Sequence, residues 1–316
     1  MKVCFICRTY PPVVGGMEEY ASSLVKYLKK TGQETEIIVN RRGKKNIPFF
    51  FMRVLFRLLF CRSDIYHLGD GVTGIMAPAI KLLKRKPVIT TIHGLDITYN
   101  SFLYQKLVVP LIRKSDRIIA VSSYTRDACI RKGIQKEKIS IVHNALDKEK
   151  YTKPRKMKKD RNLMISVGRQ IKRKGLERFI RGNLNSIMAD NPRLKYCIIG
   201  SGPEAGRIKK AIAGSDYKRR ISYLGRLSDS RMQENYRKAS YFAMPNIKVE
   251  GDVEGFGIVI LEAIYYNLII LANPIEGIKD ALQYTRNWFD LRNKRIILKD
   301  HPHKKENARI GWEQRI

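Results

Sequence analysis

Short apolar runs alternate with amphipathic stretches along most of this chain. Lys2–Cys7, Glu36–Asn40, Asp64–Leu68, Pro87–His93, Arg117–Ser122 and Ile139–Val142 are brief and largely apolar. Strands buried on both faces of a parallel sheet have that character. After the first run, Met17, Tyr20, Ala21, Leu24, Val25 and Leu28 recur at helical spacing, and Thr31-Gly32 ends the helix. Ser123 is the expected cap of the helix that follows Arg117–Ser122. A second series comprises Leu163–Val167, Lys195–Ile199, Ile221–Leu224 and Tyr241–Met244, with helices from Leu176 and over Met232–Ala239. Between the series, Lys148–Asp160 (KEKYTKPRKMKKD) reads as a charged, proline-containing linker. The pattern predicts an α/β chain of two Rossmann-like domains, residues 1–150 and 151–316.

Ile47–Cys61 departs from this alternation. It is almost wholly apolar and aromatic, yet Arg53 and Arg57 stand in it one helical turn apart. It reads either as an interfacial helix with arginines on headgroups or as a buried helix with one charged stripe. The charge balance bears on that choice. There are 62 Lys and Arg against 29 Asp and Glu, a net charge of +33. Such a chain suits anionic partners, namely phospholipid headgroups, nucleic acid or phosphorylated substrates. A generally basic proteome or a hot habitat would give the same sign. No nucleic-acid-binding motif accompanies the charge, so a membrane surface is the expected partner.

The apolar fraction of 44% supports a sizeable core, and no run reaches the ~18–20 residues of a membrane-crossing helix. Five cysteines form no paired framework. Cys4 and Cys7 would point to opposite faces of one strand, as buried thiols rather than a shared metal or redox site. With no signal peptide, a reducing, cytoplasmic setting is expected. His301 and His303 lack further ligands and read as a solvated tail.

The chemistry gathers where strands end. Tyr10-Pro-Pro-Val-Val-Gly15-Gly16 is a strand–glycine turn–helix, as phosphate-binding loops are, with glycines that permit positive φ. Thr90–Asp96 is a strand running into His93-Gly94, a favoured ligand position in open α/β sheets. Gly168-Arg169, then Lys172-Arg173-Lys174-Gly175, puts cations after a strand in a manner suited to a diphosphate. Gly200-Ser201-Gly202 is a further glycine turn. In Glu250–Asn267 (EGDVEGFGIVILEAIYYN), Glu254 and Glu262 stand eight positions apart around Gly255-Phe256-Gly257. Glycines opening an apolar helix leave N–H groups bare for an anion. Glu262 would then sit a little over two helical turns beyond Glu254. A ligand touching both carboxylates and those N–H groups needs hydroxyls and phosphates, as a sugar nucleotide has.

Phe242–Pro245 (FAMP) followed by DVEGFGIVILEA from Asp252 resembles the retaining glycosyltransferases of family 4, closest to the phosphatidylinositol-mannoside mannosyltransferase type. The resemblance implies a GT-B fold, two Rossmann-like domains facing a cleft. It implies that Glu254 contacts the donor sugar and Glu262 the ribose. Gly168, Arg169, Lys174 and Gly175 match Gly-Arg-x(4)-Lys-Gly, whose Arg and Lys neutralise the leaving diphosphate. His93 would contact the donor sugar, with Asp96 assisting it or binding acceptor. Gly15 and Gly16 would line the cleft, and Gly225, Arg226 and Leu227 would meet the base. Gly255, Phe256 and Gly257 complete the donor set.

The implied activity is metal-independent, cofactor-free transfer of a hexose, possibly mannose. It would run from a nucleotide sugar to a hydroxyl of a lipid-linked or membrane glycan acceptor, at the inner face of a membrane. Four departures stand against the family pattern. Ala145 replaces a glycine and is strained if that position needs positive φ. Asn267-Leu268-Ile269 replaces Gly-x-Pro, and Glu276-Gly277 replaces Gly-Gly. After Arg286 only a basic, polar tail is expected, so the C-terminal crossing back to the first domain is missing or shortened. The alternative is a non-catalytic membrane- or polyanion-binding protein on a degenerate GT-B scaffold. An oxidoreductase lacks its G-x-G-x-x-G.

Overall fold

The structure is a computed structural model that describes residues 1–13, 15–41, 43, 46–151, 159–293, 296, 298 and 310–312. Two six-stranded sheets organise it. The first contains β1 (Lys2–Cys7), β2 (Glu34–Val39), β3 (Ile65–Leu68), β4 (Val88–Ile92), β5 (Arg117–Ala120) and β6 (Ile139–Ile141). The second contains β7 (Asp160–Val167), β8 (Lys195–Ile199), β9 (Ile221–Gly225), β10 (Ala239–Met244), β11 (Ile269–Ala272) and β12 (Trp288–Asp290). The strand orders are β2-β1-β3-β4-β5-β6 and β12-β11-β10-β7-β8-β9, with every pairing parallel.

The first half carries α1 (Gly16–Lys30), α2 (Ile47–Phe60), α3 (Ala77–Lys84), α4 (Leu95–Thr98), α5 (Val109–Ile112) and α6 (Ser123–Arg131). The second carries α7 (Leu176–Arg181), α8 (Asn183–Asp190), α9 (Ala205–Ala213), α10 (Asp229–Lys238), α11 (Ile258–Tyr265) and α12 (Ile278–Leu282). Each sheet reverses its winding once, between β1 and β3 and between β7 and β10. At such switch points neighbouring connections leave in opposite directions and open a crevice at the carboxyl ends of the strands.

The strands form because parallel β buries both faces. Cys4 lies in the core beneath α2, and Cys7 in the core beneath α1, so the two thiols do face opposite ways. In α2, Phe50, Val54 and Leu58 repeat every four residues and fill the first of these cores. The remainder of that helix is not buried: Phe49 is 54% exposed, Met52 63%, Phe56 62% and Phe60 70%. A buried helix with one charged stripe is thus corrected to a helix with one buried stripe. Its arginines turn back to the sheet edge, Arg53 Nη2 donating to Val39 O at 2.6 Å and Arg57 Nη2 pairing with Glu36 at 3.1 Å.

The chain divides into two compact units, and it passes between them more than once. The first comprises Met1–Leu146, Glu250–Gly257 and the pair Gly311 and Trp312; the second holds the described residues of Asp147–Val249 and Ile258–Ile310. A single boundary after residue 150 misses the inclusion of Glu250–Gly257 in the first unit. The expected tail also changes: Trp288–Asp290 is a strand, paired with β11. Trp312 is buried in the first unit, its Nε1–H donating to Ser23 Oγ at 3.1 Å and its ring 5.6 Å from that of Tyr20. Of the two expectations, a missing or a shortened return to the first unit, the missing one is therefore corrected. His301, His303 and most of the Lys148–Asp160 linker lie outside the described residues.

Two local expectations change as well. Ser122, not Ser123, caps α6, its Oγ accepting from Thr125 N at 3.1 Å. Ala145 is buried without a positive φ, whereas Asn267 (φ +53°) and Glu276 (φ +48°) are left-handed where the family pattern has glycine. Asparagine tolerates that region; for glutamate it costs about 1–2 kcal/mol.

Candidate functional site

At the β7/β10 switch point the backbone is packed too closely for side chains. A Cβ on Gly200 (φ +127°) would lie 1.9 Å from Gly168 O, and one on Gly202 2.3 Å from Gln170 O. Gly168 N donates to Ile199 O at 3.1 Å and Gly200 N to Gly225 O at 2.7 Å, lacing the ends of β7, β8 and β9 together. Gly175 (φ +65°) presses the turn Lys172–Lys174 onto the end of β10, where a Cβ would come within 2.3 Å of Pro245 O. The crevice that remains is lined by Gly168, Arg169, Gln170 and Lys174 on one side and Met244, Pro245 and Asn246 on the other.

Arg169 is exposed and Lys174 half-buried, with the Lys174 stem passing over Gly168. Two cations at the carboxyl ends of central strands are arranged to receive a polyphosphate. Gln170, which nothing in the sequence singled out, is 1% exposed and donates from Nε2 to Gly168 O at 3.0 Å and Ile199 O at 3.2 Å. Arg226 (exposed) and Leu227 (half-buried) follow edge strand β9, two strands from β7, and are not in the crevice wall.

Glu262 sits on α11 among tyrosines of the second unit. Its Oε1 accepts from Tyr151 OH at 2.9 Å and its Oε2 from Tyr236 OH at 2.7 Å. Burial, and then the nearby carboxylate, push the Tyr236 hydroxyl well above its usual range. Tyr236 therefore stays a donor to Glu262, which is only 7% exposed. The eight-residue spacing is not a helical one, since α11 begins only at Ile258.

Glu254 instead lies in the loop that belongs to the first unit, 8% exposed. Gly255 rests on the turn after β4: a Cβ there would be 1.9 Å from His93 O. Gly94 (φ +95°) faces it, with its own Cβ position 3.0 Å from Gly255 Cα. Phe256 is buried with its ring 5.4 Å from that of His143, and Gly257 (φ +85°) hands the chain on to α11. The loop of Glu254 and the His93 turn are therefore one cluster.

His93 Nε2 meets Gly69 O at 3.0 Å, so Nε2 carries a proton and donates, while Nδ1 is not part of that bond. Asp96 is 6% exposed and accepts from His93 N and Gly71 N, both at 2.8 Å. Burial pushes its carboxyl up, while His93 and these N–H groups pull it back. Asp96 thus braces the turn that bears His93 from beneath, holding His93 N and Gly71 N.

Arg8 and Asp70, also passed over in the sequence, meet at the β1/β3 switch point. Arg8 Nε is 3.0 Å from Asp70 Oδ1, and Asp70 is fully buried, accepting further from Val72 N at 2.9 Å and Thr73 N at 3.0 Å. The available signal was position, as Arg8 directly follows β1. Gly15 corrects the positive-φ expectation: its φ of 169° is extended. The Glu18 carboxylate lies over it, 2.5 Å from where a Cβ would be, and accepts from Thr9 Oγ1. Gly16 opens α1, so this helix start already carries a carboxylate.

The outer layer of the first unit is apolar well beyond α2. Leu82 is 80% exposed, Phe102 71%, Leu103 67% and Leu107 61%. α2 packs on α3 and α3 on α5, and none of these three helices carries an Asp or Glu. Among the described residues no three His, Cys, Asp or Glu gather as metal ligands, and no helix is long and apolar enough to cross a membrane.

Comparison with known proteins bears on both halves. Residues 147–292 match the family model described as Glycosyl transferases group 1, and residues 14–150 that of Glycosyltransferase Family 4. An uncharacterized glycosyltransferase of Methanocaldococcus jannaschii is 21% identical over 91% of this chain and 84% of its own. The GDP-mannose-dependent alpha-(1-6)-phosphatidylinositol monomannoside mannosyltransferase of Mycobacterium tuberculosis is 22% identical over 90% of this chain and 83% of its own. The Anabaena protein HepE, crystallised with UDP, superposes with a TM-score of 0.67 at 16% identity, covering 89% of this chain and 82% of its own.

Proposed function

Because the chain belongs to the GT-B glycosyltransferases of family 4, we propose that it moves a hexose from a nucleoside-diphosphate sugar to a hydroxyl of a lipid-linked or membrane glycan acceptor, with retention and without metal. The crevice at the β7/β10 switch point, bearing Arg169 and Lys174 beside Gly168, carries the reading. These two cations take the charge that develops on the departing diphosphate; placing fixed charge there is the largest lever on such a barrier. Glu262 accepts from ribose hydroxyls, with its phenol partners fixing its direction. In the first unit His93 offers Nδ1 to a sugar hydroxyl, Glu254 holds the sugar, and Asp96 orients the turn that bears His93.

The donor is open between relatives: one is named for GDP-mannose and another was crystallised with UDP. For the acceptor, the mannosyltransferase relative is named for a phosphatidylinositol glycolipid. The apolar, carboxylate-free outer layer of α2, α3 and α5 supports a peripheral seat on an anionic membrane, with Lys84, Arg85, Lys86 and Lys106 around it. That layer binds lipid without needing the crevice, so a merely membrane-binding protein would not account for the glycine packing at Gly200 and Gly202.

The test is calorimetric titration and hydrolysis of UDP-, GDP- and ADP-sugars, with and without EDTA. One donor should bind saturably, EDTA should change little, and Lys174→Ala should lower kcat/KM at least ~100-fold. Glu262→Gln is the better partner variant, since alanine would strand two buried phenols. Absence of binding to every donor by a folded sample would end the enzyme reading.

A further inference from the structure

A second cavity lies at the edge of the first sheet, one strand from its switch point, where β2 ends and α2 begins. It measures about 530 Å³ and is walled by Val39, Asn40, Arg41, Asn46, Phe49 and Arg53. That is the size of a small-molecule site. Among the described residues no carboxylate lines it. Its two guanidiniums are held from behind. Arg41 stands over the Tyr10 ring at 5.7 Å, and Arg53 spends one N–H on Val39 O. A guanidinium has five N–H groups, so most of the donors of Arg53 remain for an anion, and the planar fork suits phosphate oxygens. The cavity is polar at this end and apolar at the other. Phe49 belongs to its wall and is also 54% exposed. From Phe49 the exposed side chains continue through Met52, Phe56 and Phe60, spaced so that they share one face of α2. That strip is roughly 16 Å long at 1.5 Å per residue.

We propose that this cavity binds the phosphate of a diacyl phospholipid, with the hydrocarbon laid along the Phe49–Phe60 strip. A free anion would use the guanidiniums and leave the strip idle; a neutral lipid would do the reverse. The joining of the two in one wall points to a molecule with both parts. The inference deepens the lipid side of the proposed function and is independent of the donor crevice.

The probe is dihexanoyl phosphatidic acid below its micelle concentration, titrated calorimetrically into the full chain, beside inorganic phosphate and dihexanoylglycerol. Saturable 1:1 binding of the phosphatidate is expected, about tenfold or more tighter than either comparator. Arg41→Gln should weaken it about tenfold, and Phe49→Ser severalfold. Arg41→Gln leaves the Arg53–Val39 tie in place, and an unchanged circular dichroism spectrum would show that it folds. Equal affinity in wild type and Arg41→Gln overturns the site. Phosphate binding as tightly as phosphatidate overturns its lipid character. Vesicles of phosphatidylglycerol give the separate arm. If the full chain ignores vesicles but binds the monomeric lipid, the membrane seat fails and the cavity stands. If it binds vesicles but not the monomer, the cavity fails and the seat stands.

Discussion

Two strand-end crevices occupy equivalent places in two sheets of like winding, and they are furnished in opposite ways. At β1 and β3 the polar groups are already tied to one another: Arg8 to Asp70, Asp70 to two backbone N–H groups, Asp96 to two more, His93 to Gly69. At β7 and β10 glycines strip the walls of side chains, and the cations stand beside the gap. The first crevice holds a few atoms in exact attitudes; the second offers backbone edges and charge to something anionic. Equivalent topology therefore supplies position, and residue choice decides whether that position orients or receives.

The comparison breaks most readily at Gly200. Gly200→Ala puts a methyl into Gly168 O and a side chain at φ +127°. The second unit should lose about 2–4 kcal/mol and donor affinity should vanish. Urea unfolding and donor titration measure both, and a fully active, equally stable variant would show that close packing is not what shapes the crevice.

The orienting crevice has its own acid limit. Burial, with His93 as a smaller influence, holds the His67 imidazole at about 4 against an ordinary 6.5. Between those values the unfolded chain takes up a proton that the folded unit refuses. Stability of the first unit thus falls as pH drops from 6.5 to 4, by at most about 3 kcal/mol. His67→Gln should flatten that slope in urea midpoints taken across the range. An unaltered slope would place the acid sensitivity elsewhere.

Asp96→Asn turns an amide nitrogen toward Gly71 N or His93 N, two donors face to face. A loss of about 1–3 kcal/mol is expected. Turnover should fall more than donor affinity, because the variant disturbs the turn of His93 and not the crevice; equal falls in both would make the two regions one functional element. The smallest effect is a gain. Glu276→Gly relieves a left-handed glutamate, and thermal unfolding should report about 1 kcal/mol of added stability.

The strands were legible because parallel sheets bury both faces and so write apolar runs into the sequence. The placement of Arg169, Lys174 and Gly168 at the end of a strand was legible because the apolar run ends directly before them. The sequence leaves Asp96 between assisting His93 and binding acceptor, since its bond to Gly71, distant in sequence and featureless in type, leaves no pattern to read. Nor could the hydroxyls of Tyr151 and Tyr236 be seen converging on Glu262. The strain expected at Ala145 lies at Glu276 because φ depends on the local turn and not on the residue a family usually has there. The allegiance of Glu250–Gly257 was hidden for a further reason: it is fixed by backbone closeness at Gly255, which leaves no pattern in hydrophobicity.

That closeness sets an order of events during synthesis. The first 146 residues leave the ribosome without the strand-like loop that covers the His93 turn and without the indole that fills the space beside Tyr20 and Tyr27. Their sheet can form as it emerges, since its pairings are complete by β6. Its surface cannot be finished until Gly255 and then Trp312 arrive. The nascent first unit therefore spends the translation of the second as an incomplete body with an uncovered aromatic groove, a state on which chaperones and proteases act.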